Sequence, residues 1–473
     1  MKRCPALFAL AFLASFALLV PRAAHAQRIT GDITGNVTDE QGAAVPGASV
    51  TAACTTTRGT RSTTTDAEGG FRLTDLPICV YKVSATLTNF KTTTREVQVA
   101  VNTVTRADFR LQVGLAGEEV TVEGVAPLVE FSDKLNSYVD KQRIDDLPLS
   151  GRDFNSLLGI TPGVQRYPGG GFLAVSINGA RTTSNNYMVD GIANNDRYYG
   201  DSLLNQTGVV GVPATLVPMD AIAEFTVQQT PSAEFGTKGG AAINVVMRSG
   251  TNDFHGSAHY FRHDDWTDSK NFFVERQGGD KTPVKNQQFG ATFGGPLVRD
   301  KTFFFAYYEG QRLAVTTPYD TPVPTPDQVA EARARIAASG LSTSQGGEAL
   351  FSYYPVDPSG SVTVPALNEA TMNTFAVKVD HHLNQNNTIS GRYFFGQSDQ
   401  SAPAFVGTLN PAGNNPADMF NSVAKPSTVN IGGLIWNSTL SPNTILETRF
   451  GYSSFGQVLG INNAVDPNSL GID

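Results

Sequence analysis

Beyond Gly250 the chain changes character from one residue to the next. Phe375, Val377 and Val379 alternate with Thr374, Lys378 and Asp380, and Leu446, Phe450 and Tyr452 alternate with Glu447 and Arg449. Neighbouring side chains of a strand point to opposite faces, so a period of two makes one face apolar and the other polar. Segments of about ten residues with this pattern are the signature of a transmembrane β-barrel, with lipid outside and a wet lumen inside. A soluble sandwich alternates too. The pattern predicts strands over 253–263, 286–298, 302–313, 373–383, 387–397, 427–440 and 443–455. The aromatic runs at Phe303 to Phe305 and Tyr393 to Phe395, and Tyr452 with Phe455, suit interface girdles or a core. Pro-rich Thr316 to Pro326 and Ala402 to Pro416 read as loops. Gln328 to Ser339 is helix-forming and lies in a long connection, 314–372, expected to be extracellular.

The chain opens with Lys2 and Arg3, an apolar run from Ala6 to Val20, and Ala24-His25-Ala26. The run is short of the roughly 20 residues a spanning helix needs. Together these features read as a secretory signal peptide over 1–26, with the mature chain starting at Gln27. Cys4 precedes the apolar run and is no lipid acceptor. Losing Lys2, Arg3 and Arg22 takes the formal charge from −8 to −11. Such a balance argues against a nucleic-acid partner. Charged residues are only 16% of the chain and there are 46 Gly, which suits a β-rich exported protein.

Residues 27–113 carry short β-favouring runs at Ile33 to Val37, Ala48 to Ala53, Gly69 to Leu73, Val80 to Leu87, Arg95 to Val101 and Val104 to Val113. Turn-forming groups such as Asp66-Ala67-Glu68-Gly69 separate them. That spacing predicts a β-sandwich of about seven strands. Cys54 and Cys79 are the two thiols left after export, and export permits a disulfide. Bonding them would restrain a loop worth about 3 kcal/mol in the chain-entropy model. The alternative is two separate buried thiols.

From Met219 to Gly256 the chain reads as two strands, Ile222 to Gln228 and Ile243 to Met247. Ala233-Glu234-Phe235-Gly236 and Gly239-Gly240-Ala241-Ala242 join them, and Ser249 to Asp253 breaks the second. As a string, this run resembles the end of the plug domain of TonB-dependent outer-membrane receptors, and by pattern the Oar-like group. Other motifs match in register. Asp146 to Phe154 (DLPLSGRDF), Leu157-Leu158 and Thr161 to Val164 (TPGV) are similar to the start of that plug. Ile177 to Arg181 (INGAR) and Asn185 to Gly191 (NNYMVDG) are similar to its centre. Gln288 to Gly290, Gly294 to Leu297 and Asp300 to Gly310 (DKTFFFAYYEG) are similar to early barrel strands. Ser150 and Asp153 stand where the family usually has Asn. Within 27–113, the words around Ile33 to Val50 and Thr65 to Pro77 resemble the carboxypeptidase-regulatory-like module, an accessory domain without zinc-ligand spacing here.

The resemblance implies a mostly β chain. Its parts are the sandwich (27–113), a linker (114–127), an α+β plug (128–250) and the first part of an antiparallel barrel (251–473). It implies an outer-membrane site, the N-terminal domain in the periplasm, and a TonB-type periplasmic energy-coupling protein and an extracellular ligand as partners. Within the linker, Glu119, Val120, Thr121, Val122 and Glu123 are the candidate TonB box, able to add edge-on to a partner sheet. The alternative is an ordinary last strand or linker. The implied plug-motif residues are Asn178, Gly179, Arg181, Asp190, Gly191, Glu234, Phe235, Gly236, Gly240 and Asn244. Helical pieces are expected at Asp140 to Asp146, Arg152 to Leu158 and Pro218 to Ile222. Loops are expected at Tyr167 to Phe172 and Asn194 to Gly211.

Nothing in the sequence supports an exported enzyme or a cofactor. It has no phosphate-binding loop, dinucleotide fingerprint or nucleophile elbow. His255, His259 and His263 recur every four residues, but on a strand neighbours lie about 13 Å apart. One ion cannot bridge them. They are expected to face the lumen together, His381 and His382 to face opposite sides, and Asp145-Asp146 and Asp264-Asp265 to be solvated turn acids. Two functions remain: active import, and an Oar-like surface or adhesion role without import. Siderophore, carbohydrate, peptide and cobalamin are all open as ligands. Plugged transporters have about 22 strands. The seven predicted here, ending at Asp473, are therefore expected to be part of a larger barrel.

Overall fold

The computed structural model describes residues 30–101, 103–114, 119–126, 136–147, 152, 155–166, 175–197, 200, 202, 215, 217–231, 238–270, 272–276, 278, 280–281, 283–352, 355–403, 422–424, 426–441, 444–458, 460–461 and 468. The expected signal peptide, the loop at Tyr167 to Phe172, most of the loop from Asn194 to Gly211, and Glu234, Phe235 and Gly236 lie outside the described residues.

The first unit is a two-sheet sandwich. Its strands are β1 (Gly31–Thr38), β2 (Ser49–Cys54), β3 (Thr60–Thr64), β4 (Gly70–Leu76), β5 (Cys79–Thr86), β6 (Thr92–Val99), β7 (Val104–Arg106), β8 (Phe109–Arg110) and β9 (Glu119–Ala126). One sheet runs β4-β1-β7, with β8 also on β1, and the other runs β3-β2-β5-β6-β9. Ile33, Val37, Val50, Phe71, Leu73, Tyr81, Val83, Val97, Phe109 and Leu111 fill the space between them. Nine strands stand where about seven are expected, for three reasons. β3 (TRSTT) is a polar edge with no apolar alternation to read. The run from Val104 to Val113 divides at Ala107-Asp108. The stretch read as linker forms β9, which pairs in parallel with β6. At Gly69 a turn demands glycine: φ is +76°, and a Cβ there would lie 2.6 Å from the Val37 carbonyl oxygen. Cys54 and Cys79 are joined by a disulfide across this domain.

The second unit holds β10 (Asn136–Asp140), β11 (Val164–Arg166), β12 (Val175–Ile177), β13 (Asn186–Val189), β14 (Ile192–Ala193), β15 (Ile222–Gln228) and β16 (Ala242–Met247). Five form one sheet, β10-β15-β16-β13-β14, and β11 pairs with β12. Every residue of β16 (AINVVM) is buried, as expected of a central strand. Short helices lie at Lys141–Asp146 and Asn155–Leu158, and a 3-10 turn at Met219–Ala221. Asp146 thus ends a helix and is not a turn residue.

The third unit is a nine-stranded sheet: β17 (His255–Asp264), β18 (Val284–Val298), β19 (Thr302–Pro322), β20 (Ser361–Asn384), β21 (Asn387–Pro403), β22 (Ser422–Ala424), β23 (Ser427–Ser441), β24 (Thr444–Gln457) and β25 (Gly460–Ile461). Neighbours are antiparallel throughout. β19 and β20 run well past their expected ends. Thr316 to Pro322 continues β19, and most of the masked stretch from Ala402 to Pro416 lies outside the described residues. The prolines are tolerated because Pro318 sits opposite Pro365, and β18 reaches only as far as Val315 on the other side. No ladder bond is lost there. A helix, Pro326–Ala338, capped by Thr325 with Gln328, sits on this extension with a second helix, Gln345–Ser352, that lacks a strong pattern.

The third sheet wraps the second unit. Phe305, Tyr307, Ala376, Phe394, Val429 and Ile431 of the sheet share one core with Val139, Ile144, Leu157, Ile222, Phe225, Val227, Ile243 and Val245. Phe303 and Phe305 therefore point inward to this core, while Phe304 faces away and packs on Phe293 with centroids 5.5 Å apart. The opposite face exposes Phe375, Tyr393, Leu446, Phe450 and Tyr452. Among the described residues, tight turns at 299–301 and 385–386 occupy one end of the sheet, and long connections the other.

Candidate functional site

The NNYMVDG segment ends β13 against the sheet wall. Asp190 follows β13 in a left-handed conformation (φ +42°), and Gly191 continues it at φ +72°. Only a short polar residue and glycine adopt this pair of torsions readily. The turn drives the Asp190 carboxylate into the wall with 0% of the residue exposed. There it pairs with Arg392 of β21, and with Lys378 of β20 at 3.8 Å. Its Oδ1 also accepts the Met247 amide at 2.8 Å. Lys378 Nζ donates to the Met247 carbonyl at 3.0 Å, and Arg392 donates to the Val189 carbonyl. Next along, Arg449 of β24 donates to the Gly191 carbonyl at 2.9 Å, and the Gly191 amide donates to Asn244 Oδ1 at 2.8 Å. A Cβ on Gly191 would lie 1.9 Å from the Arg449 guanidinium. The result is a buried latch of one plug carboxylate and three wall cations, with Glu447 beside Arg449.

Asp190 stands outside the spanning strands. Burial acts to raise its pKa, but Arg392, Lys378 and the Met247 amide outweigh burial and hold the carboxyl below its ordinary range. It stays charged, which a buried carboxylate does only when paired and hydrogen-bonded.

A second contact joins the same units. His259 of β17 places Nε2 3.2 Å from Glu309 of β19 and Nδ1 3.3 Å from Asp220. Arg152 pairs with Asp220 and lies over the Phe261 ring, 4.2 Å from its centroid. The three histidines of β17 do not act together. His263 meets Asp268 at 2.7 Å and His255 meets the Asp253 carbonyl at 3.0 Å. Asp264 is buried against Arg262, not a solvated turn acid. His381 bonds Thr302, and His382 meets the edge of Phe303.

The remaining motif residues are dispersed. Gly240 lies against Ser184, where a Cβ would come within 2.5 Å of its carbonyl oxygen. Asn178 and Gly179 form an exposed left-handed turn after β12, with Asn178 donating to Gln229 at 3.0 Å. Arg181 is exposed before a 3-10 turn. Glu119 to Glu123 lie in β9, an edge of the sandwich far along the chain from the latch. The motifs identify Asp190, Gly191 and Asn244, but they do not reveal Lys378, Arg392 or Arg449. The available signal is a charge at an inward position of a strand whose other inward residues are uncharged.

Three family models match in order along the chain: a carboxypeptidase regulatory-like domain over residues 32–112, a TonB-dependent receptor plug domain over 132–243 and an outer membrane beta barrel domain over 246–473. The TonB-dependent transporter Oar of Myxococcus xanthus is 32% identical over 309 residues, covering 61% of this chain. The chain belongs to the TonB-dependent outer-membrane receptors. It is Oar-like, it is an outer-membrane protein, and it spans 27% of that relative's length. Among solved structures, the ferric-catecholate import receptor Fiu of E. coli K12 (open form) shares 15% identity at a TM-score of 0.37, covering 68% of this chain and 50% of its own. FpvA of P. aeruginosa, bound to pyoverdines, shares 14% at 0.42, covering 70% and 43%. No helix among the described residues of the receptor is long and apolar enough to cross a membrane, and a β-barrel crosses with strands.

Proposed function

We propose that the receptor imports a ligand across the outer membrane, with the plug as its gate and a TonB-type periplasmic protein as its source of energy. The observation that carries this reading is the latch. A plug whose seat in the wall rests on one buried carboxylate and three cations is held firmly, yet by a contact that a directed pull can break as a unit. An outer membrane has neither ATP nor an ion gradient of its own, so work on the plug must come from the periplasm. β9 supplies a place to pull: it is the last strand of its sheet, and strand addition to an exposed edge is a known mode of recognition. Proline at Val120 or Val122 removes a backbone donor and fixes φ. Either change should abolish energised uptake while ligand binding at the cell surface persists. Unchanged uptake in both variants would place the coupling segment elsewhere. Normal uptake loss with cell contact also lost would favour the adhesion reading. The ligand class is left to binding assays against siderophores, carbohydrates, peptides and cobalamin.

A further inference from the structure

The sandwich does not hang free of the other two units. Three contacts tie it to them. The Val101 amide, just past β6, donates to Glu224 Oε1 of β15 at 2.8 Å. The Asn252 amide donates to the Thr56 carbonyl at 3.1 Å. Arg61 of β3 donates to Asn386, in the tight turn between β20 and β21, at 3.3 Å. Between the units lies a cavity of about 440 Å³, lined by Asp75 and Gln98 of the sandwich, Glu224 and Arg248 of the plug, and Lys378 and Asp380 of the wall. A second, of about 340 Å³, separates the sandwich from the turns at Arg299 to Lys301 and Asn384 to Gln385. The sandwich therefore sits on the tight-turn end of the sheet, which in outer-membrane barrels faces the periplasm.

Glu224 is the unusual member. It is 1% exposed, in a strand whose other residues are mostly apolar, and a bulge between Ile222 and Glu224 sets its direction. A carboxylate buried this deeply destabilises the plug unless something satisfies it. What the geometry provides is a backbone donor from a different domain, a charge-assisted hydrogen bond. The same β15 pairs with β16, which carries Asn244 and Met247 of the latch.

We infer that the sandwich is a periplasmic lid, docked over the exit of the plug by Glu224, and that undocking it is a step of the gate. The inference rests on the import reading for its purpose but not for its test. A pull on β9 acts directly on β6, its ladder partner, and β6 leads to Val101. The sandwich is thus drawn off before the plug is.

The test needs neither ligand nor coupler. In the purified protein, hydrogen exchange is followed at the Val101 amide, and cross-linking by a short bis-maleimide between Arg61→Cys and Asn386→Cys. Glu224→Ala should speed exchange at Val101 at least tenfold and cut cross-linking severalfold, while core amides such as Val83 keep their protection. Glu224→Gln, which keeps an acceptor oxygen, should restore most of both. Exchange and cross-linking unchanged in Glu224→Ala would overturn the lid. Loss of protection at Val83 as well would also count against it, since Glu224 would then support folding and not docking. A docked lid with no uptake would sink the import reading alone.

Discussion

At the scale of single residues, Asp190 sets the argument. Removing it leaves Arg392 and Lys378 buried without their counter-charge, and breaking a buried pair costs about 3–5 kcal/mol. Asp190→Ala should therefore release the plug, read as faster proteolysis between residues 140 and 245 at unchanged barrel heat-modifiability. Asp190→Ala with Arg392→Met should recover part of the loss, because the stranded cation goes too. The pH dependence follows from the direction of the shift. A carboxyl held below its unfolded value stabilises fully above that value, about 3.9, and loses the contribution only as pH falls through the lower folded value. Plug protection should hold down to pH 4 and fail below it in the native protein. In Asp190→Asn that acid step should be absent. Gly191→Ala combines a left-handed backbone penalty of about 1–2 kcal/mol with a collision against Arg449. It should weaken the plug's seat in the same proteolysis assay.

At the scale of elements, the legible parts were those whose faces differ in polarity. The alternation from Thr374 to Asp380 located β20 because its outward side chains meet lipid and its inward ones meet the plug. β3, by contrast, is polar on both faces and left no trace in the sequence pattern. β9 was read as linker because its Val and Thr alternation also fits an unattached segment, and only its pairing with β6 decides its place. Phe303 and Phe305 could have been girdle or core, because an aromatic run looks the same whether it faces lipid or a plug. The disulfide between Cys54 and Cys79 staples β2 to β5. Replacing both by Ser should lower the unfolding free energy of the sandwich by about 3 kcal/mol. Calorimetry would show this as a lower first transition, with the barrel transition unmoved.

At the scale of the whole molecule, the order of domains was legible from motifs in register, and the latch was not. Lys378, Arg392 and Arg449 lie about two hundred residues or more from Asp190, and sequence spacing carries no information on which strand closes over which turn. Glu224 was missed for the same reason, since its partner is a backbone amide of another domain. These contacts make the three units one device, in which an edge strand, a docked sandwich and a latched plug lie in series. The most direct measurement is photo-cross-linking in cells from a photoreactive residue placed at Thr121. The account predicts an adduct with the TonB-type coupler that disappears in Val120→Pro. Adducts confined to β6 of the same chain, in cells where the receptor sits in the outer membrane and takes up its ligand, would contradict it.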